Sequence, residues 1–215
     1  MPPSPVPARN RLIAAGERLF AERGIDNVSL RELSRAAGAR NVMALQHHFT
    51  DRDGLLQAIL QKHQVRIEAR RHQMLDECLE KSGDGGDPPL QALAAALVDP
   101  WAQCLVDDDG GRDYLRIFAE LVNRPRPLIP TALDGAPGSI ERWRALVDPK
   151  LNAQQRRLHR RYAAMLYVTT ELARWARNTN EPDLPLISAS LTDLVVAMLT
   201  APISAATSEE LRRRR

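Results

Sequence analysis

Between positions 40 and 52 the chain gathers Arg40, Asn41, Met43, Gln46, His47, His48 and Arg52. Their shared chemistry is recognition rather than bond-making. A guanidinium pairs with the O6 and N7 of guanine, a side-chain amide with the N6 and N7 of adenine, and a thioether packs on a thymine methyl. His48 and Arg52 suit phosphate oxygens, which orient a protein without reading sequence. Upstream, Ser29 and Arg31 open a helix, and helix N-termini attract phosphate. Arg9 and Arg11 are placed on an N-terminal arm able to follow the DNA backbone or minor groove. The paired histidines have no Cys or carboxylate at ligand spacing, so no metal site is expected. No Gly-rich phosphate loop, HExxH or GxSxG sequence is present, so an enzyme finds no support and no cofactor is implied.

These side chains need a helical frame, and composition points to one. Of the 215 residues, 44% are hydrophobic and 27% charged, close to ordinary globular usage, which excludes a largely disordered chain. Aromatics are 4%, and no run of alternating β-branched residues supports a strand. Two cysteines without a CxxC pair suit a reduced setting. The longest apolar stretch, Leu191 to Ile203, is too short to span a bilayer, and the Pro-rich N-terminus reads as a frayed arm rather than a signal peptide. A net charge of +3 is too small to prove a nucleic-acid partner by itself. Within the first 60 residues, however, eight arginines stand against six acids.

Apolar periodicity and capping signals divide the chain. A helix over 8–22 buries Leu12, Ile13, Leu19 and Phe20 and stops at Gly24. Ser29 and Glu32 form a capping box opening a short helix over 30–37. A second short helix follows over 41–47. Thr50 with Asp53 reads as the cap of a long helix reaching about 81. The Gly- and Pro-rich stretch 82–89 is a loop. Further helices are expected over 90–106, 113–123 and 139–147, then a long one over 152–177 and a last one over 186–200, with a disordered Arg tail. The Pro-rich stretch 124–138 is irregular: a pocket lid or a long connection.

Two short helices joined by a glycine turn near position 38, inside three helices followed by a long one, form a helix-turn-helix layout. The text Ala15…Leu19-Phe20…Gly24, Val28-Ser29-Leu30-Arg31-Glu32-Leu33, Ala36-Ala37-Gly38, His48-Phe49 and Arg52-Asp53-Gly54-Leu55-Leu56 resembles the N-terminal domain of TetR-type bacterial transcriptional repressors. Gln46 stands where that family usually carries a tyrosine, and Arg52 where it carries a lysine. The resemblance implies an all-α protein: a three-helix N-terminal helix-turn-helix domain joined by a long helix to a helical ligand-binding and dimerisation domain. The expected division is a disordered arm over 1–8, the DNA-binding domain over 9–50, the helical domain over 51–207 and a basic tail over 208–215.

The expected partners are a double-stranded DNA operator, a second copy of the chain and a small-molecule effector, in the bacterial cytoplasm and without a membrane. One small helix-turn-helix reads few base pairs, so specificity calls for a two-fold dimer on a palindrome. The last two long helices offer a four-helix-bundle interface through Leu158, Leu172, Ile187, Leu191, Leu194, Val195 and Met198. Arg156, Arg157, Arg160 and Arg161 before that stripe read as a solvated end. The resemblance implies an effector held between helices in the middle domain, with Trp101, Cys104, Tyr114, Phe118, Trp143, Tyr162, Met165 and Thr169 as candidate pocket residues. Asp113, Glu120 and Glu171 are candidate partners for a cationic group. A regulator that binds a protein instead of a small molecule is the competing reading. An enclosed cavity favours the ligand, a filled core with an exposed apolar patch the protein.

Overall fold

The computed structural model describes residues 7–38, 43–83, 86–124, 138–179 and 181–213, except the side chains of residues 44 and 45. Helix α1 (Ala8–Arg23) buries Leu12, Ile13, Leu19 and Phe20. It ends where Gly24 turns to a φ of 86° and its N–H returns to the Phe20 carbonyl. A 3-10 turn over Ile25–Asn27 leads to α2 (Leu30–Ala36). The capping box forms as expected: Ser29 Oγ accepts from Glu32 N at 3.3 Å while Glu32 Oε2 accepts from Ser29 N at 2.9 Å. The Ser29 N–H and hydroxyl hold the Glu32 carboxyl below its ordinary value. Helix α3 (Met43–Phe49) follows, and the expected positions 41 and 42 lie outside the described residues.

The cap of the long helix is Asp51, not Thr50. Asp51 Oδ1 accepts from Gly54 N at 2.8 Å, and Thr50 instead takes a left-handed φ of 51° to make the corner. Helix α4 (Arg52–Ser82) then runs for 31 residues, about 46 Å at the α-helical rise. Its first half packs on α1, where a Cβ on Gly16 would lie 3.0 Å from both Leu55 and Ile59. Its second half packs on α5 (Leu90–Ala102) and α7 (Ser139–Val147). Proline at position 100 lacks the N–H that would close the helix on Ala96. That carbonyl is taken by Arg71 Nε of α4 at 3.1 Å, so a buried guanidinium repairs the break.

Helix α6 (Gly111–Val122) lies between α1 and α9 (Arg160–Asn178). The expected continuous helix over 152–177 is broken. Asn152 and Gln155 form a second capping box on a five-residue helix α8 (Ala153–Arg157), and His159 turns to a φ of 52° before α9 begins. Helix α10 (Leu184–Thr200) packs on α5 and α9, capped by Asp183 Oδ1 on Leu186 N at 3.1 Å. The basic tail is helical as far as Arg213, in α11 (Ala205–Arg213). The arginines before α9 are tied down rather than solvated. Arg160 donates to the Leu199 and Ala201 carbonyls at the end of α10, and Arg161 pairs with Asp148 at 2.5 Å. No strand occurs among the described residues.

The N-terminal three helices join the rest through a buried ionic knot. Glu17 of α1 is 2% exposed. Its Oε1 lies 2.8 Å from His63 Nε2 and its Oε2 3.0 Å from Lys62 Nζ, both on α4. Lys62 also donates to Asp109, and Arg66 pairs with Asp107 at 2.6 Å, in the turn that starts α6. Gly110 closes this turn at a φ of 82°, and a Cβ there would lie 2.4 Å from Glu17 Oε2. At the other end of α6, Glu120 accepts from Ile25 N and Arg124 pairs with Asp26 at 2.9 Å.

Gly38 has a similar φ of 67°, but a Cβ added there would meet nothing within 4 Å. Gly38→Ala is therefore expected to cost about 1 kcal/mol, the left-handed penalty alone. Gly110→Ala adds a clash with a pinned carboxylate and is expected to cost about 3 kcal/mol or more. Urea unfolding of the two variants measures the gap, and equal losses would mean that Glu17 is free to move.

Candidate functional site

The end of the molecule built from α2, α3 and the start of α4 carries the expected base- and phosphate-reading side chains. Met43 is 66% exposed, and Gln46, His47 and His48 are exposed on the same short helix. The His47 and His48 rings stand 5.2 Å apart and His48 lies 6.1 Å from Phe49. Phe49 itself is buried and anchors α3 to the core. Arg31 is exposed at the start of α2, and Ser29 spends its hydroxyl on the capping box. Arg40 and Asn41 lie outside the described residues.

Three basic residues expected to touch DNA have structural partners. Arg9 and Arg11 belong to α1 rather than to a free arm. The Arg9 guanidinium sits 5.3 Å over the Phe49 ring, and Arg11 Nε donates to the Ala37 carbonyl at the end of α2. Arg52 turns inward, donating to the carbonyls of Ile25 and Asp26 and facing the Asp26 carboxylate at 3.5 Å. Together these contacts fix how α2 and α3 sit on α1 and α4. The direct reading surface is then Met43, Gln46, His47 and His48.

Most of the candidate pocket residues form a filled core. Tyr114 stacks between His63 and Phe118, at ring distances of 4.6 and 5.5 Å, and Phe118 meets Trp101 at 5.6 Å. Trp143 Nε1 donates to the Leu93 carbonyl at 2.7 Å. Met165 is buried, and Thr169 bonds back to the Met165 and Leu166 carbonyls of its own helix. Tyr162 is 36% exposed on the outer side of α9. Glu120, Glu171 and Asp113 each have an arginine of this chain, Arg124, Arg174 and Arg116 respectively.

Of the eight pocket candidates, Cys104 lines the open space the structure does contain. This is a cleft of about 300 Å³ between α4 and the end of α5, lined by His63, Arg66, Ile67, Arg70, Pro100, Gln103, Cys104, Val106 and Asp107. Burial pushes the Cys104 thiol up to about 12, so it serves as a small apolar wall rather than a nucleophile. The sequence reading missed the α4 side of this cleft. The signal was present: Gln64, Ile67, Arg71 and Leu75 follow helical spacing on the buried face, and two of them are polar.

The proposed dimer stripe divides in two. Leu172, Ile187, Leu191 and Val195 are buried within the single chain, where they close the core between α5, α9 and α10. Leu194 is 41% exposed, while Met198 and Leu158 are half-buried. The outward apolar face of α10 is instead Leu186, 64% exposed, with Ser190, Leu194 and Ala197 at helical spacing. No single described helix is long and apolar enough to cross a membrane.

No curated protein matches the chain. Among solved structures, it is similar to the fatty acid degradation regulator FadR from Bacillus halodurans, with a TM-score of 0.56 and 13% identity over 92% of this chain and 99% of that one. It is similar to Mycobacterium smegmatis AmtR, with a TM-score of 0.54 and 18% identity over 99% and 98% of the two chains. The multidrug binding protein EbrR, solved with malachite green, gives 0.50 and 18% identity over 91% and 98%. At these identities the structures share the fold. The family itself comes from residues 12–59, which match the model of the bacterial regulatory proteins of the tetR family. These residues span α1 through the first turns of α4, and by them the chain belongs to the tetR family of bacterial regulatory proteins.

Proposed function

We propose that the chain is a homodimeric, sequence-specific DNA-binding repressor, released from a palindromic operator by a small molecule bound in its helical domain. The division of labour is a DNA-binding domain over 9–50 and a ligand-binding and dimerisation domain over 51–207. The observation that carries this reading is the double attachment of α6 to the DNA-binding helices. Its first turn meets Glu17 and Lys62, and its last turn meets Ile25 and Asp26. Any shift of α6 in the helical domain must move α1 or break these bonds. A ligand changes DNA affinity only through such a difference between two states, typically about 1–3 kcal/mol.

The exposed polar set on α3 supports DNA reading. The short helix carries Met43, Gln46, His47 and His48 outward, while Phe49, Arg9 and Arg11 fix it from behind. Dimerisation places two such helices on successive major-groove faces. The outward face of α10, Leu186 to Ala197, supplies the interface, with Tyr162 and Leu166 of α9 beside it. EbrR, of the same fold, was solved with a bound dye. The α4–α5 cleft is the corresponding ligand space assigned to this chain.

Selection of genomic fragments by the purified protein, followed by footprinting, tests the function. A protected palindrome is expected, with affinity falling steeply as salt rises; failure to enrich any fragment at low salt overturns the reading. On that operator, Gln46→Ala is expected to cost about 1–3 kcal/mol of specific binding while the thermal midpoint stays unchanged. An unaffected operator affinity would remove Gln46 from the reading surface.

Leu194→Glu is expected to yield a folded monomer, because the charge becomes buried only on pairing. Leu191→Glu is expected to unfold the chain, since Leu191 is 3% exposed within one copy. Light scattering with circular dichroism separates these outcomes. A Leu194→Glu dimer would place the interface elsewhere.

A further inference from the structure

The most unusual group in the helical domain is Arg71, which is 0% exposed at the centre of α4's inner face. Burial brings its guanidinium down to about 10, still charged at neutral pH. Nε is taken by the Ala96 carbonyl and Nη1 by Ser139 Oγ at 2.9 Å. The nearest carboxylate, Glu68, stands off at 3.6 Å, and its Oε2 accepts the Ser139 N–H at 2.6 Å. Nη2 has no partner among the described residues, nor has the buried Nε1 of Trp101, whose ring lies 4.6 Å from the guanidinium carbon. The Tyr114 hydroxyl lies beside Trp101 and accepts from Gln64 Nε2 at 2.8 Å, which leaves its own proton as a third donor.

These unmet groups are all donors. Arginine and indole nitrogens cannot turn round and accept, and leaving them unpaired in the core is costly. The missing partner is therefore an acceptor, and beside a buried guanidinium the strongest acceptor is an anion. The α4–α5 cleft leads to this place. Ile67, in its wall, is one helical turn before Arg71, and Pro100 adjoins Trp101. The ionic side chains at the cleft's mouth already have a pair, Arg66 with Asp107, so the unmet demand sits at the inner end. The volume of about 300 Å³ is at the small end for ligand sites.

We propose, resting on the sensor reading above, that the effector is a small organic acid. Its carboxylate engages Arg71 Nη2 and Trp101 Nε1, and its apolar body lies along Ile67, Pro100, Cys104 and Val106. His63 lines the same cleft one turn before Ile67, and its Nε2 faces Glu17 of α1. The acid is thereby one side chain away from the DNA-binding helices.

The test uses the full-length protein without DNA, with benzoate, cinnamate and octanoate against their matched amides and amines. Tryptophan fluorescence and the thermal midpoint are read for each. The acids are expected to quench and to raise the midpoint, the amides to bind about tenfold more weakly or worse, and the amines to give no response. Arg71→Met is expected to lose the preference of acid over amide. An amide or amine response equal to the acids', no response to any acid, or an unchanged preference in Arg71→Met overturns the assignment. Should Arg71→Met fail to fold, having lost the Ala96 bond, the wild-type comparison of acid with amide decides alone. Operator affinity is then measured with each binder. Acid binding that leaves the operator affinity unchanged upholds the acid site and overturns the sensor reading. Release by an amine alone overturns the acid assignment and leaves the sensor reading standing.

Discussion

The architecture hangs on one buried carboxylate. Glu17 sits at 2% exposure in the face of α1 that packs on α4, where an unpaired anion would be strongly destabilising. It is tolerated because Lys62 and His63 arrive together from α4, and because Gly110 lets the turn before α6 come within contact distance. Three segments from two functional halves therefore share one charge. A purely apolar joint would slide at small cost, since dispersion contacts are non-directional. Hydrogen-bonded ions have defined positions, and losing one partner leaves the others uncompensated. The joint is accordingly suited to two discrete arrangements rather than to gradual bending.

Helix α4 is the member that makes this joint consequential. It begins under the DNA-reading helix, passes the Glu17 knot at positions 62 and 63, and reaches the sensor core at Arg71. All three stations lie on one continuous hydrogen-bonded rod. Its inner face mixes apolar and polar side chains, Ile67 and Leu75 alternating with His63, Gln64 and Arg71. Each polar member meets a defect in a neighbouring element: a carboxylate in α1, a tyrosine hydroxyl in α6, a carbonyl freed by Pro100 in α5. The rod is thus keyed to its neighbours by polar contacts at intervals of one turn.

What the sequence revealed follows from the range of the forces involved. The end of α1 at Gly24, the Ser29–Glu32 box and the loop after Ser82 are decided within four residues, and each lies where local chemistry puts it. The cap at Asp51 was misread by one position because Thr50 and Asp51 are both good caps, and the choice is made by how the corner after Phe49 closes. The break at His159 was invisible because nothing in its sequence forbids a helix there; Arg160 and Arg161 are drawn to carbonyls and a carboxylate far away in the chain. Amphipathic stripes show which face is buried but not by whom. Leu191 and Val195 were therefore assigned to a partner when α5 of the same chain already covers them.

The aromatic residues carry the same lesson one level deeper. Trp101, Tyr114 and Phe118 looked like the walls of a pocket because of their types, yet they stack on one another and leave no room. Space opens instead where Pro100 interrupts α5 and the chain continues as a tighter 3-10 turn through Val106. That interruption withdraws one backbone donor, summons Arg71 to replace it, and brings two further N–H groups to the core without acceptors. A filled aromatic cluster then has a role of its own. Tyr114 stacks on His63, and His63 bonds to Glu17, so the cluster forms the rigid backing through which a change beside Trp101 reaches α1. Close packing has no slack to absorb such a change, and it is relieved at the joint where the bonds are fewest and most directional.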